Sequence, residues 1–476
     1  MTLFKKSLGI GLVSVLLFAC SSDDKITNDT TNPEASTEDT FVSFSLKIAT
    51  NNESVTRSTS SKWTGRDVIE SVDVFLINLT KGTVDHESYK LADFDVVNNV
   101  LTPKKAIKAS SGEDVKAYAI INGVGFEKLK NYTANDLDKF FSSEAYAMTN
   151  FTANATTKDG KDVVMMTNAV LPVSMEIQPN VSAEEAVKGS NQINITVQRI
   201  AARGVVTHSI NSDQDENIVT VLDQNGKIAS EVYVTDVSYA IGLNNKELFI
   251  VQKGNLTTPA SSYNYIPLSH EEWANETNGV RKYFDFSSLQ NPVNVAQIGK
   301  DGINGILANE LTSQFVLPVT HADGNYRKGN TTYFEITAKF RPVGDFEGNI
   351  GYEENAAIYV GKIDGKLYPT EEAVRVANGD YFTLYPNGEM KYYVWLNPDK
   401  GVGAAKTSPT LRNTVYHANI SKFKQLGFPT NPLDPTKPID PTNPVKPTDP
   451  LETVDTYLSV DIEIIDWDVV SNDIEL

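Results

Sequence analysis

Cysteine is almost absent from this chain of 476 residues: Cys20 is the only one, so no disulfide can form within it. Cations are outnumbered, with 42 Lys and Arg against 61 Asp and Glu, a net charge of -19 and a pI near 4.8. No Lys/Arg stripe interrupts that acidic balance, which argues against nucleic acid or anionic lipid as a partner. The apolar run from Leu8 to Phe18 is too short for a spanning helix.

The motifs of catalysis and metal binding are missing as well. His86, His208, His270, His321 and His417 are scattered, and where His270-Glu271 begins a zinc motif, Ala274 stands in place of its second histidine. There is no nucleophile elbow, P-loop or dinucleotide fingerprint. Gly123-Val124-Gly125 and Gly401-Val402-Gly403 lack the later glycine and lysine positions. Asp213, Asp215 and Asn217 imitate the start of a calcium loop, but Ile218 replaces its glycine and Gln224 its terminal glutamate. No enzyme, cofactor or metal site is expected. Tyr263, Tyr265, Trp273 and Tyr283 could line a sugar platform, the basis of an alternative reading as a monomeric glycan-binding surface protein; packing in the core is the expected use.

What the chain has is alternation. Val72–Leu79, Asp114–Ile121, Ile193–Ile200, Thr331–Phe340 and Lys391–Asn397 read as strands, and Asp223-Gln224-Asn225-Gly226 as a hairpin turn with Gly226 free to take positive φ. One helix is expected near Ala134 to Ala147, capped by Thr133. The fold class is therefore all-β, a pair of β-sandwiches, with a boundary near Ser209 where the chain turns polar.

The two ends carry matching strands. FVSFSLKI sets Val42, Phe44, Leu46 and Ile48 on one face and Ser43, Ser45 and Lys47 on the other. YLSVDIEI sets Leu458, Val460, Ile462 and Ile464 opposite Ser459, Asp461 and Glu463, again with an aromatic first. Beyond it, Ile465, Trp467 and Val469 shift parity by one, which predicts a bulge or a second short strand. Between body and terminal strand, proline recurs at 429, 432, 435, 438, 441, 444, 447 and 450. That period of three fits polyproline II and predicts a rod of roughly 65 Å that carries YLSVDIEI clear of its own subunit.

The first twenty residues read as an export signal, with Lys5 and Lys6 ahead of the apolar run. Leu17-Phe18-Ala19-Cys20 resembles a bacterial lipobox, which implies acylation of Cys20, and Ser21-Ser22-Asp23-Asp24 resembles an acidic surface-export flag.

The stretches WTGRDVIESVDVFLI, LTPKKAIK, VKAYAIIN, ITVQRIAARGVV, FVLPVTHADGNYRKGNTTYFEITAKFRP, KYYVWLNP and RNTVYHANISKFKQLGF lie in order along nearly the whole chain. Together they resemble the fimbrillins of the Bacteroidales type V pilus, most of all the minor, or short, fimbrium subunits. The resemblance implies two transthyretin-like sandwiches, a lipoprotein exported to the outer membrane surface, and an arginine-specific surface protease that removes the first strand. The groove so opened would accept the terminal strand of another subunit, giving a homopolymeric extracellular fimbria with anchor and tip pilins as accessories. Receptors on host or bacterial surfaces would serve adhesion and biofilm formation. An anchor or tip pilin is the alternative within the family. On this reading residues 1–19 are the signal, 20–57 the propeptide, 58–209 and 210–428 the two sandwiches, 429–452 the tether and 453–476 the donor strand. Cleavage is expected after Arg57, in a polar unpatterned loop, with Arg66 as second choice because it abuts an apolar strand.

Overall fold

The alternating stretches are strands in the computed structural model of the chain. It describes residues 39–49, 62–63, 68–97, 100–123, 126–147, 156–158, 161–210, 217–263, 269–298, 313–396, 409–437, 444–451 and 458–467. The principal elements of the first part are β1 Asp39–Ile48, β2 Val72–Asn78, β3 Thr83–Tyr89, β4 Phe94–Val97, β5 Val100–Pro103, β6 Ile107–Ser110, β7 Gly112–Ile121, helix α1 Ala134–Ser142, β8 Met166–Asn168, β9 Met175–Ile177 and β10 Gln192–Arg199. They build a ten-stranded sheet in the order β3-β2-β7-β8-β10-β1-β5-β4, with β9 added along the start of β7 and β6 along the start of β1. Alternate residues of β1, β2, β7 and β10 enter one core, among them Phe44, Leu46, Val72, Val74, Ala117, Ala119 and Ile195.

The second part comprises β11 Ala202–His208, β12 Ile218–Leu222, β13 Ile228–Gly242, β14 Tyr333–Pro342, α2 Glu371–Asn378, β15 Glu389–Trp395, β16 Thr414–Phe423 and β17 Leu458–Trp467. One sheet runs from the pair Lys62–Trp63 through β17, β16 and β11; the other has the order β12-β13-β14-β15. Val206, Tyr416, Ala418 and Ile420 from the first meet Val232, Phe334, Ile336 and Met390 from the second. The opposite face of β11 and β16 is covered too: Val205 and Val415 pack with Phe75, Tyr118, Leu137 and Phe141 of the N-terminal part. Burial on both faces explains why Ala202–Thr207 is inaccessible at every position.

Three expectations need correction. Sheet membership changes at Ile200–Ala201, not at Ser209, because β11 pairs in parallel with β16 and thereby joins the C-terminal sheet. From Glu38 onward the chain forms one compact unit. The helix stops at Ser142, where Ser143 turns its hydroxyl onto the Lys139 carbonyl at 2.9 Å, and Ala145–Ala147 becomes a short strand against Glu247–Phe249. Thr133 does cap it, accepting from Asp136 N at 3.2 Å. Helix α2 was not anticipated. Its signals were present in Thr370, which caps Ala373 N, in Glu371 and Glu372 of its first turn and in Gly379 at φ 58° after its end. The expected hairpin forms with Gly226 at φ 77° and Asp223 accepting from Asn225 N and Lys227 N at 2.8 and 2.9 Å.

Candidate functional site: the beds of the two end strands

β1 sits in the interior of the N-terminal sheet. It runs parallel to β10, from Ser43 opposite Gln192 to Ile48 opposite Val197, and antiparallel to β6 and then β5 on its other side. Val42, Phe44 and Leu46 are 0% exposed and Ile48 1%, so the expected apolar face is wholly buried. Phe44 meets Tyr89 and Phe94 edge to face, with ring centroids 5.4 and 6.0 Å away. Polar side chains fasten the start of the strand: Thr40 Oγ1 donates to Gln178 O at 2.8 Å, and Asn191 Nδ2 donates to Phe41 O at 3.2 Å. At the far end Asn413 Nδ2 reaches Ala49 O at 3.1 Å. The opposite face is not uniformly wet, as the pattern implied. Lys47 is exposed, but Ser43 is buried, and the short helix Ala183–Val187 packs against β1.

The terminal strand lies in a different bed. β17 runs antiparallel to β16, with Val460, Ile462 and Ile464 opposite Ile420, Ala418 and Tyr416, and with Asp461 and Glu463 opposite Asn419 and His417. Among the described residues its other edge meets only Lys62–Trp63, which run parallel to Asp466–Trp467. The register passes through Ile464 and Ile465 without interruption, so the expected bulge is not there. One occurs instead on β16 at Ser421, between the pairs Ile420–Val460 and Lys422–Ser459.

The segment between is not a free rod. Asn431 Oδ1 accepts from Leu433 N at 2.8 Å and Asp434 Oδ1 from Thr436 N at 2.9 Å, so the residues ahead of Pro432 and Pro435 make turns in place of an extended helix. Asn431 Nδ2 donates to the Tyr333 hydroxyl at 3.0 Å and to buried Glu335, whose other carboxylate oxygen holds Lys391 Nζ at 2.6 Å. Leu433 and Val445 enter a core shared with Trp273, Phe284 and Tyr333. Farther along, Pro447 O and Asp449 O accept from Gly329 N and Lys328 N at 2.8 and 2.9 Å. Gly329 is required there, since a Cβ would stand 2.5 Å from that of Pro447. Lys328 Nζ lies 3.6 Å from Asp449 Oδ2, and Leu451 packs on Tyr326. Counting prolines hid these anchors, whose available signal was Asn and Asp immediately before proline, a turn-starting pair.

Cys20, Arg57, Arg66, Asp213, Asp215 and Tyr265 lie outside the described residues. Tyr263 and Trp273 are buried and Tyr283 packs with them, so these aromatics serve the core and make no open platform. Trp273 Nε1 donates to Gly329 O at 3.2 Å, just behind the proline segment. Among the described residues no group of three or more His, Cys, Asp or Glu could hold a metal. Burial pushes the Arg412 guanidinium down to about 9, still charged at neutral pH. It donates to Ile250 O and Phe249 O at 3.1 and 2.8 Å, a tie between the start of β16 and another part of the body.

A family model described as "Major fimbrial subunit protein type IV, Fimbrillin, C-terminal" matches residues 383–473, which include β16 and β17. Over 452 residues, 91% of this chain and 88% of the relative, the chain is 29% identical to the minor fimbrium subunit Mfa1 of Porphyromonas gingivalis. The chain is thus similar to fimbrillins, through its C-terminal region and along most of its length. The proteins it resembles are named as fimbrial subunits, and the chain is no enzyme. Among solved structures, a fimbrilin of P. gingivalis matches 91% of this chain and 99% of its own length at 14% identity, with a TM-score of 0.44. The tip fimbrial protein Mfa3 of the same organism, truncated at its C-terminus, matches 90% of this chain and 100% of its own length at 9% identity, with a TM-score of 0.36.

Proposed function

We propose that this chain is the structural subunit of an extracellular fimbria, a fimbrillin, and that subunits join by strand exchange after proteolysis. The observation that carries the reading is the place of β1: an end strand, filled with buried apolar side chains, that separates β10 from β5 and β6. Residues 50–61, which follow it, contain Arg57. Four such side chains contribute roughly 6–12 kcal/mol by burial. While the chain is intact, β1 also competes at an effective concentration on the order of mM. Cutting after Arg57, or after Arg66 as second choice, removes that advantage and leaves β1 replaceable.

The replacement is β17 of a second copy, with Leu458, Val460, Ile462 and Ile464 taking the places of Val42, Phe44, Leu46 and Ile48. In the free subunit β17 is parked on its own β16, so exchange begins with its release from that sheet. Acylation at Cys20 carries the precursor to the outer membrane surface, and an arginine-specific surface protease frees the subunit from its lipidated segment. Anchor and tip pilins complete the fimbria, which adheres to host or bacterial surfaces. The relative named as a minor fimbrium subunit supports this assignment.

Electron microscopy of the purified chain before and after limited digestion with a trypsin-like protease tests the reading. Filaments are expected only after the cut, with Ser58 as the new N-terminus. Filaments from the uncut chain, or from a chain lacking residues 453–476, would refute it.

A further inference from the structure

Beside the bed of β1 the sheet throws out an apolar loop that its own core does not use. β8 and β9 both pair with β7, with Thr167 opposite Ile120 and Met175 opposite Val115, and residues 169–174 leave the ladder between them. Asn168 fills the gap: its Oδ1 accepts from Ala119 N at 2.8 Å and its Nδ2 donates to Ala117 O at 3.0 Å. One amide side chain thus stands in for the missing strand backbone, and the loop is free to project. Val170 is 67% exposed, Leu171 36% and Val173 87%. Pro172 between them restricts the backbone. Single exposed apolar residues are ordinary, but among the described residues no other four consecutive positions hold three large ones.

The position of this loop and the anchoring of the proline segment together name what covers it. Ala169 N donates to Thr196 O at 2.8 Å, and Thr196 is paired on its other side with Lys47 of β1. The loop therefore starts two strand spacings, about 10 Å, from the bed. The proline segment is fastened to its own body as far as Leu451, and the chain from there to Leu458 spans at most about 25 Å. A copy that lends β17 to the bed must bring its body within that reach. We infer that Val170, Leu171 and Val173 form a contact surface for a second copy of this chain, the one whose terminal strand occupies the bed. The inference rests on the strand-exchange reading and adds to it a body-to-body contact beside the exchanged strand.

The test compares the full chain with a Val170→Asp, Val173→Asp double variant. Both positions are solvent-exposed, so the variant is expected to keep its melting temperature and its cleavage rate. After digestion its critical concentration for polymerisation should rise at least about tenfold, the equivalent of losing roughly one buried valine. A labelled synthetic peptide of residues 453–476 should bind the digested wild type and the digested double variant equally, because the peptide brings no body. Equal critical concentrations for the two chains, with the peptide bound by both, overturn the contact and leave strand exchange standing. A peptide bound by neither digested chain overturns strand exchange, and the contact with it.

Discussion

The two end strands carry the same alternation, yet their beds differ in kind. β1 has ladders along both edges and its apolar face sealed against Tyr89 and Phe94, whereas β17 has β16 along one edge and, among the described residues, only Lys62–Trp63 at the end of the other. Alternation decides which face of a strand is apolar; the number of neighbours decides how easily the strand leaves. On the proposed exchange, that difference makes β17 the strand to be lent and β1 the one to be cut loose first.

The largest effect should come from Phe44. Phe44→Ala removes a ring from a closed aromatic cluster and is expected to lower the unfolding free energy of the uncut chain by about 3–5 kcal/mol, read from urea denaturation. Ile462→Asp, in the outer strand, should lower it by less than about 2 kcal/mol and yet abolish filaments after digestion, because a carboxylate cannot enter the apolar bed. If both variants destabilise the uncut chain equally, the two beds do not differ as described.

Acid should act on the body beside the proline segment. His321 Nε2 donates to Asn330 O at 2.9 Å, in the loop that also carries Lys328 and Gly329, and burial pushes the imidazole down to about 4. The unfolded chain takes up this proton near the ordinary value of about 6.5, before the folded chain does. Stability is therefore full above about pH 6.5 and falls as the pH drops towards 4, by on the order of 3 kcal/mol for this group. His208, also lowered by burial, acts in the same direction. His321→Gln should flatten the decline in denaturation midpoint between pH 7 and pH 4.5. An unchanged slope would mean that this histidine is not what acid attacks.

Strand identity was legible because it rests on a period of two, which survives in a single sequence. Val42, Phe44, Leu46 and Ile48 could be assigned to one face before any neighbour was known, and all four are buried. What stayed hidden depended on distant partners. The proline period suggested an extended rod, but Asn431 finds Glu335 and Tyr333, Pro447 finds Gly329, and Leu433 finds a core pocket. Contacts about a hundred residues apart leave no local period. The alternation places Ser43 on the wet face for the same reason, since the helix Ala183–Val187 that packs against its strand lies far away in the sequence. The boundary failed differently, because a drop in hydropathy marks where a strand ends and not which sheet it joined.

The smallest effect sharpens the comparison most. In the parked strand Asp461 stands opposite Asn419, whose Nδ2 donates to Ser209 Oγ at 3.1 Å at a partly exposed site. Neighbouring positions of a strand face opposite sides, so if Ile462 enters the bed of β1, Asp461 occupies the place of Ser45, whose hydroxyl bonds Asn194 Oδ1 at 2.8 Å on the exposed side. An amide there keeps a polar group of the same size in water. Asp461→Asn should accordingly change both the denaturation midpoint and the critical concentration by no more than the equivalent of about 0.5 kcal/mol. A one-residue slip of the donor would reverse the two positions, because it turns every side chain to the other face. Filaments that tolerate Ile462→Asp, and that form more readily with Asp461→Asn, would show that the donor lies in the bed in that slipped register.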